Sequence, residues 1–296
     1  MMTSQKKATV VSSSVAAVLT LIKLVIGFAS GSVAVLASAV DSVLDMFVSI
    51  FNYFAISKSE KPADKTFNYG RGKIEALASV IEGTIITISG LFLLYQAVKK
   101  AILGEVSQYL DISIYVMIIS IIITISLVTY LNIIAKKTNS MVIKADALHY
   151  KTDVFSNLAV LISLLLVTFT GYEIIDVFVG GGIAIYIIYS AYELIHEGVL
   201  VLLDRAVDEN LVEKIEEIIK ANDKVNTYHL LKTREASNQT FVEVHLVFDC
   251  LITLMDAHRA SDSIENKIKK LDEKREWIIN IHMDPYDDFK MNDLHH

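Results

Sequence analysis

Residues 112–135 read ISIYVMIISIIITISLVTYLNIIA, an uncharged run bounded by Asp111 and Lys136. A helix that crosses a bilayer needs roughly 20 consecutive, mostly apolar residues, and this run supplies them. Working outward, five further stretches meet the same standard: about 8–30, 32–57, 74–98, 142–169 and 174–203. The expectation is an α-helical membrane bundle of six transmembrane helices over residues 1–205. Composition agrees. The 296 residues are 53% hydrophobic with a mean hydropathy of +0.47, two prolines and one cysteine. That balance excludes disorder, a collagen-like repeat and a disulfide scaffold, since Cys250 has no partner within the chain. No removable signal peptide is expected, because the first apolar stretch is not followed by a cleavage pattern.

Loop charges orient the bundle. Lys6 and Lys7 precede the first span, Lys58, Lys61, Lys65, Arg71 and Lys73 join the second to the third, and Lys136, Lys137 and Lys144 join the fourth to the fifth. The first and fifth loops carry no Lys or Arg, and the third carries only Lys99 and Lys100. Both termini are therefore expected in the cytoplasm.

Residues 1–203 hold 14 basic and 14 acidic side chains, whereas 204–296 hold 13 and 20, so the tail carries the whole net charge of −7. A tail of that sign disfavours nucleic acid and anionic headgroups and favours cations. Its pattern predicts a helix capped by Asp208 and running to about Ala221, strands over about 225–234 and 239–249, a helix over 254–272 capped by Thr253, and a last strand from Trp277 to Met283. This αββαβ order predicts an α+β domain with helices on one face of a small sheet.

Charges inside the apolar stretches carry the chemistry. Asp41 and Asp45 lie four residues apart in the second stretch, and His149 and Asp153 repeat that spacing in the fifth. Four residues is one helical turn, so each pair shares a face, about 6 Å apart along the axis. The two helices run antiparallel in the expected topology and bring three carboxylates and an imidazole to a similar depth. That donor set suits a tetrahedral divalent cation such as zinc, with ferrous iron and cadmium also fitting. The competing reading is ordinary polar contacts between helices, and two matched pairs on separate spans count against it. Glu82, Glu193, His196 and Lys23 occur singly, where helix–helix hydrogen bonding or snorkelling competes with function.

In the tail, Glu243 and His245 alternate with Val242, Val244 and Leu246, which places polar and apolar side chains on opposite faces. His282 and Asp284 share a face of the last strand, with His229 on the first strand and His258 on the second helix. These residues are either metal ligands or solvated surface groups. Enzyme signals fail. Asp64-Lys65-Thr66 resembles the start of a phosphorylated-pump motif, but Phe67 follows where Gly is required. No P-loop is present, and His196-Glu197 lacks the second His of a zinc protease.

Five segments together resemble the cation diffusion facilitator family, near its bacterial zinc and ferrous-iron efflux branch: SGSVAVLASAVDSVLD (30–45), YGRGKIEALA (69–78), ADALHYKTDVFSN (145–157), LLDR (202–205) and HMDP (282–285). The resemblance runs from about Leu21 to Pro285. It implies a homodimer in the bacterial inner membrane, with six spans per protomer and a ferredoxin-like cytoplasmic domain, here 206–290, followed by a tail at 291–296. It also implies metal–proton antiport through Asp41, Asp45, His149 and Asp153. A cytoplasmic zinc site would match His229, His245, His258, His282 and Asp284, with Met283 standing where relatives often carry Gln. Lys73 and Asp204 match a salt-bridge pair that holds the dimer. A loop site built in relatives from an Asp and two histidines falls on Asp64, Phe67 and Arg71, so only Asp64 matches and that site is expected to be absent. The functional expectation is a divalent metal efflux transporter. The alternative is a metal-responsive membrane sensor or scaffold that binds cations without moving them.

Overall fold

The computed structural model describes residues 2–30, 33–103, 111–170, 174–273 and 275–287. Six long helices come first: α1 (Ser4–Ser30), α2 (Val33–Ser59), α3 (Lys73–Leu103), α4 (Asp111–Thr138), α5 (Met141–Thr170) and α6 (Ile174–Leu202). Among the described residues, α1, α2, α3, α4 and α6 each contain a stretch long and apolar enough to cross a membrane, against the six expected.

Small residues let these helices approach closely, as lipid offers no hydrophobic drive to bring them together. Ala8, Ala55, Ala78 and Ala147 pack with Ile56, Leu131, Ile143 and Tyr150 at the centre of α1 to α5. Between α3 and α6, a Cβ on Gly83 would stand 2.7 Å from Ile195 Cγ1, and one on Gly198 would stand 2.6 Å from Val80 Cγ2. Large apolar side chains such as Phe28, Phe92, Phe169 and Phe178 point outward instead.

The chain divides into two compact units, Met1–Val199 and Leu200–His296. In the second, α7 (Glu209–Lys220) leads to β1 (Thr227–Ala236), β2 (Gln239–Val247), α8 (Leu254–Lys269) and β3 (Glu276–Asp284). The sheet order is β1-β2-β3, antiparallel between the first two and parallel between the last two. Asp208 occupies the start of α7 without a side-chain cap bond. Thr253 caps α8 as expected, accepting from the Asp256 N–H at 3.1 Å and donating to its carboxylate at 2.7 Å. Both helices lie against one face of the sheet: Ile215, Ile219, Ala257, Ala260, Ile264 and Ile268 cover Val242, Val244, Leu246 and Trp277. The other face of β2 carries Glu243 and His245 together with the buried Phe241 and Val247. The expected tail at 291–296 lies outside the described residues.

Between His229 and Lys232 the register slips, so that Leu230 and Leu231 together oppose Val244. Leu230 has φ 50°, the left-handed conformation that the first residue of a G1-type bulge adopts. Because side chains alternate, the extra residue keeps both His229 and Lys232 on the same face as their partners His245 and Glu243.

Candidate functional site

The helical unit brings three of its four expected ligands together. Donor atoms of Asp45, His149 and Asp153 all lie within 4.8 Å of one another. His149 Nε2 is 3.0 Å from Asp45 Oδ1, and both side chains are largely buried. His149 and Asp153 meet the site because they stand one turn apart on α5. Asp45 meets it from the middle of α2. Asp41, one turn earlier on α2, is exposed and does not join the set. Lys23 on α1 is buried on the Asp41 side, where its ammonium donates to Ser42 Oγ at 2.7 Å and to the Ser38 carbonyl at 3.3 Å. Two carboxylates and an imidazole are a hard-to-borderline donor set that fits a divalent cation, with room for a further ligand in a tetrahedral shell.

The second unit holds a second set, His229, His245 and Asp284, whose donor atoms also fall within 4.8 Å of one another. The strand pairing explains it: His229 is opposite His245 across the antiparallel pair, and His245 is opposite His282 across the parallel one. Asp284 hydrogen-bonds His245 Nδ1 at 2.9 Å and lies 3.0 Å from His282 Nε2 and 3.4 Å from His229 Nε2. The rings of His245 and His282 lie 4.5 Å apart. Asp287, unremarked in the sequence, stands 3.6 Å from His229 Nδ1. It lies beyond the last strand, where periodicity carries no signal. His258 is not brought in. It sits on the solvent side of α8, which packs on the opposite face of the sheet, and pairs with Asp262 at 3.6 Å. A buried carboxylate ringed by three imidazoles suits zinc, with the carboxylate both ligand and orienting group.

The segment between α2 and α3 is closed by organic charge. Asp64 accepts from the N–H groups of Phe67 and Thr66, both at 2.9 Å, and from Arg71 at 2.6 Å. The Phe67 N–H, then the guanidinium and the Thr66 N–H, hold the Asp64 carboxyl below the usual carboxylate range. Arg71 also lies over the Phe67 ring, 4.3 Å from its centroid. All three residues of the loop position are therefore engaged with one another. Asp204, the expected partner of Lys73, is 3.3 Å from Arg234 within its own unit.

Residues 9–203 match the family model described as the cation efflux transmembrane domain, and residues 207–286 match that of the cation efflux protein cytoplasmic domain. The chain is 34% identical over 263 residues to the cation-efflux pump FieF of Serratia proteamaculans, covering 89% of this chain and 87% of that protein. It is 33% identical over 279 residues to the cation-efflux pump FieF of Klebsiella pneumoniae, covering 94% and 92%. The FieF pump of Escherichia fergusonii is similar to the same degree, 33% identical over 279 residues with 94% and 92% covered. Matching family models over both units, and relatives aligned over almost the whole length, leave one assignment: the chain belongs to the cation efflux family, the cation diffusion facilitators, and is an integral membrane transporter of metal cations rather than an enzyme.

Proposed function

We propose that this protein exports a divalent metal, zinc foremost and ferrous iron or cadmium as further cargo, in exchange for protons across the bacterial inner membrane. The observation that carries the proposal is the convergence of Asp45, His149 and Asp153 from two long helices. Metal requires deprotonated carboxylates and a neutral imidazole, so metal and protons compete for the same atoms. A site that opens alternately to the two sides then exchanges one for the other without ATP. Asp41 completes the shell in a conformation that turns the start of α2 inward by part of a turn.

The remaining architecture belongs to the same proposal. All six long helices span the membrane, α5 with its polar half turned to the transport site, and both termini lie in the cytoplasm. Residues 206–290 form a ferredoxin-like domain that pairs two protomers and holds zinc at His229, His245, His282 and Asp284. Lys73 and Asp204 brace the dimer near the membrane surface.

Flux into proteoliposomes tests the transport reading. Wild-type protein should move zinc with counter-movement of protons, and Asp45→Ala and Asp153→Ala should each abolish flux while leaving the dimer assembled. Apparent zinc affinity should fall as pH drops through about 6.5, the ordinary range of an imidazole. Zinc binding without flux would identify a sensor or scaffold instead, and near-normal flux in either variant would remove these residues from the site.

A further inference from the structure

Beyond Asp45, His149 and Asp153, a column of buried polar groups runs toward the end of α2. Its spacing is regular. On α2, Asp45, Asn52 and Ser59 recur every seven residues; on α3, Glu82 and Glu75 do the same; on α5, Asp153 and Asp146 are again seven apart, with Ser140 just before the helix. Seven residues is two turns, about 10 Å of rise, so each repeat drops every helix by one layer along the same face.

Hydrogen bonds tie the layers across three helices. In the middle layer, the Asn52 amide nitrogen donates to Glu82 Oε2 at 3.1 Å and to Asp146 Oδ1 at 3.2 Å. Ser49 Oγ lies 3.4 Å from the same Asp146 oxygen and 2.9 Å from the Tyr150 hydroxyl. In the outer layer, Glu75 accepts from Ser59 at 3.2 Å and from Ser140 at 2.6 Å. Asn52, Glu82 and Asp146 are at most 1% exposed. One oxygen on each, Asn52 Oδ1, Glu82 Oε1 and Asp146 Oδ2, is buried without a hydrogen-bond partner. Two carboxylates and three unsatisfied oxygens so deeply buried are costly, and a visiting cation, whether a metal ion or a proton, relieves that cost.

We propose that Asn52, Glu82 and Asp146 form an intermediate station for the divalent metal on the cytoplasmic half of its path, and that the layered column must part to load the transport site. The station offers only oxygen donors, so it holds a cation weakly and passes it on to the site that includes an imidazole. Its place follows from direction: the end of α2 and the start of α5 flank the loops richest in Lys and Arg, which the proposed orientation puts in the cytoplasm. The inference rests on the transport site proposed above.

Two measurements test it, on full-length protein in proteoliposomes. In a Cys250→Ser background, Asn52→Cys should react with a cationic methanethiosulfonate reagent faster than with an anionic one of equal size, and zinc should slow the reaction. No reaction with either reagent during transport, or equal rates without zinc protection, overturns the proposal. Asp146→Asn and Glu82→Gln keep size and remove charge. Each should raise the apparent KM for zinc by about tenfold or more, as loss of a supporting ligand does at metal sites. Zinc binding at the transport site, measured by calorimetry in detergent, should be unchanged. An unchanged KM, or loss of site binding together with flux, rejects the station. Absent wild-type flux, or flux retained in Asp45→Ala, would instead reject the transport site itself.

Discussion

His258 and His245 show what a residue's neighbours add to its type. Both are histidines in an acidic domain, and sequence alone ranks them together. Only His245 lies on the sheet face that carries Asp284; His258 rides on a helix against the opposite face, 60% exposed. Calorimetry on the wild-type domain and two variants should separate them. His245→Ala should weaken zinc binding by at least about tenfold, while His258→Ala leaves it unchanged. Equal losses would mean that His258 reaches the site by a route outside the single protomer. The cluster of Asp45, His149 and Asp153 was legible at the same scale, because charges inside apolar stretches are conspicuous and a spacing of four marks one face. Distance was not legible. Asp41 and Asp45 share a face, yet one turn separates a residue that touches His149 from one that does not. Asn52 and Ser59 carry no charge and gave no signal at all.

Among elements, alternation along β2 identified the core face of the sheet, and Thr253 identified the start of α8. The reciprocal bonds between Thr253 and Asp256 should stabilise that helix, and Thr253→Ala should cost the domain about 1 kcal/mol in urea unfolding. The Thr253 hydroxyl, with Lys224 behind it, holds the Asp256 carboxyl below its ordinary value. A folded value below the unfolded one means a contribution present above about pH 3.9 and lost as pH falls through the folded value. The bulge at Leu230 and Leu231 was invisible in the sequence, because two leucines fit any apolar strand and nothing local marks a left-handed leucine. It sets the facing of everything before it. Deleting Leu231 should turn His229 toward the hydrophobic side and abolish zinc binding, a loss that titration of the purified domain would detect.

For the whole molecule, apolar run length marked a helical membrane bundle and the change of pattern after Arg205 marked a domain with a small sheet; the compact units run Met1–Val199 and Leu200–His296. The second unit has a separate core built from α7, α8 and the sheet, so residues 206–290 should fold alone. Zinc should raise their melting temperature, since a ligand that binds only the folded form shifts unfolding by mass action. No rise at millimolar zinc would make the histidine face a solvated surface. The column from Asp45 to Glu75 has a thermal consequence as well. Exposing apolar surface to water raises heat capacity, whereas exposing polar surface lowers it. A barrier knit from amide, hydroxyl and carboxylate groups therefore opens with little or negative change in heat capacity, unlike one closed by leucines and phenylalanines. Zinc flux limited by that opening should give a nearly straight Arrhenius plot in a lipid that stays fluid throughout, its activation enthalpy almost the same in the cold as in the warm.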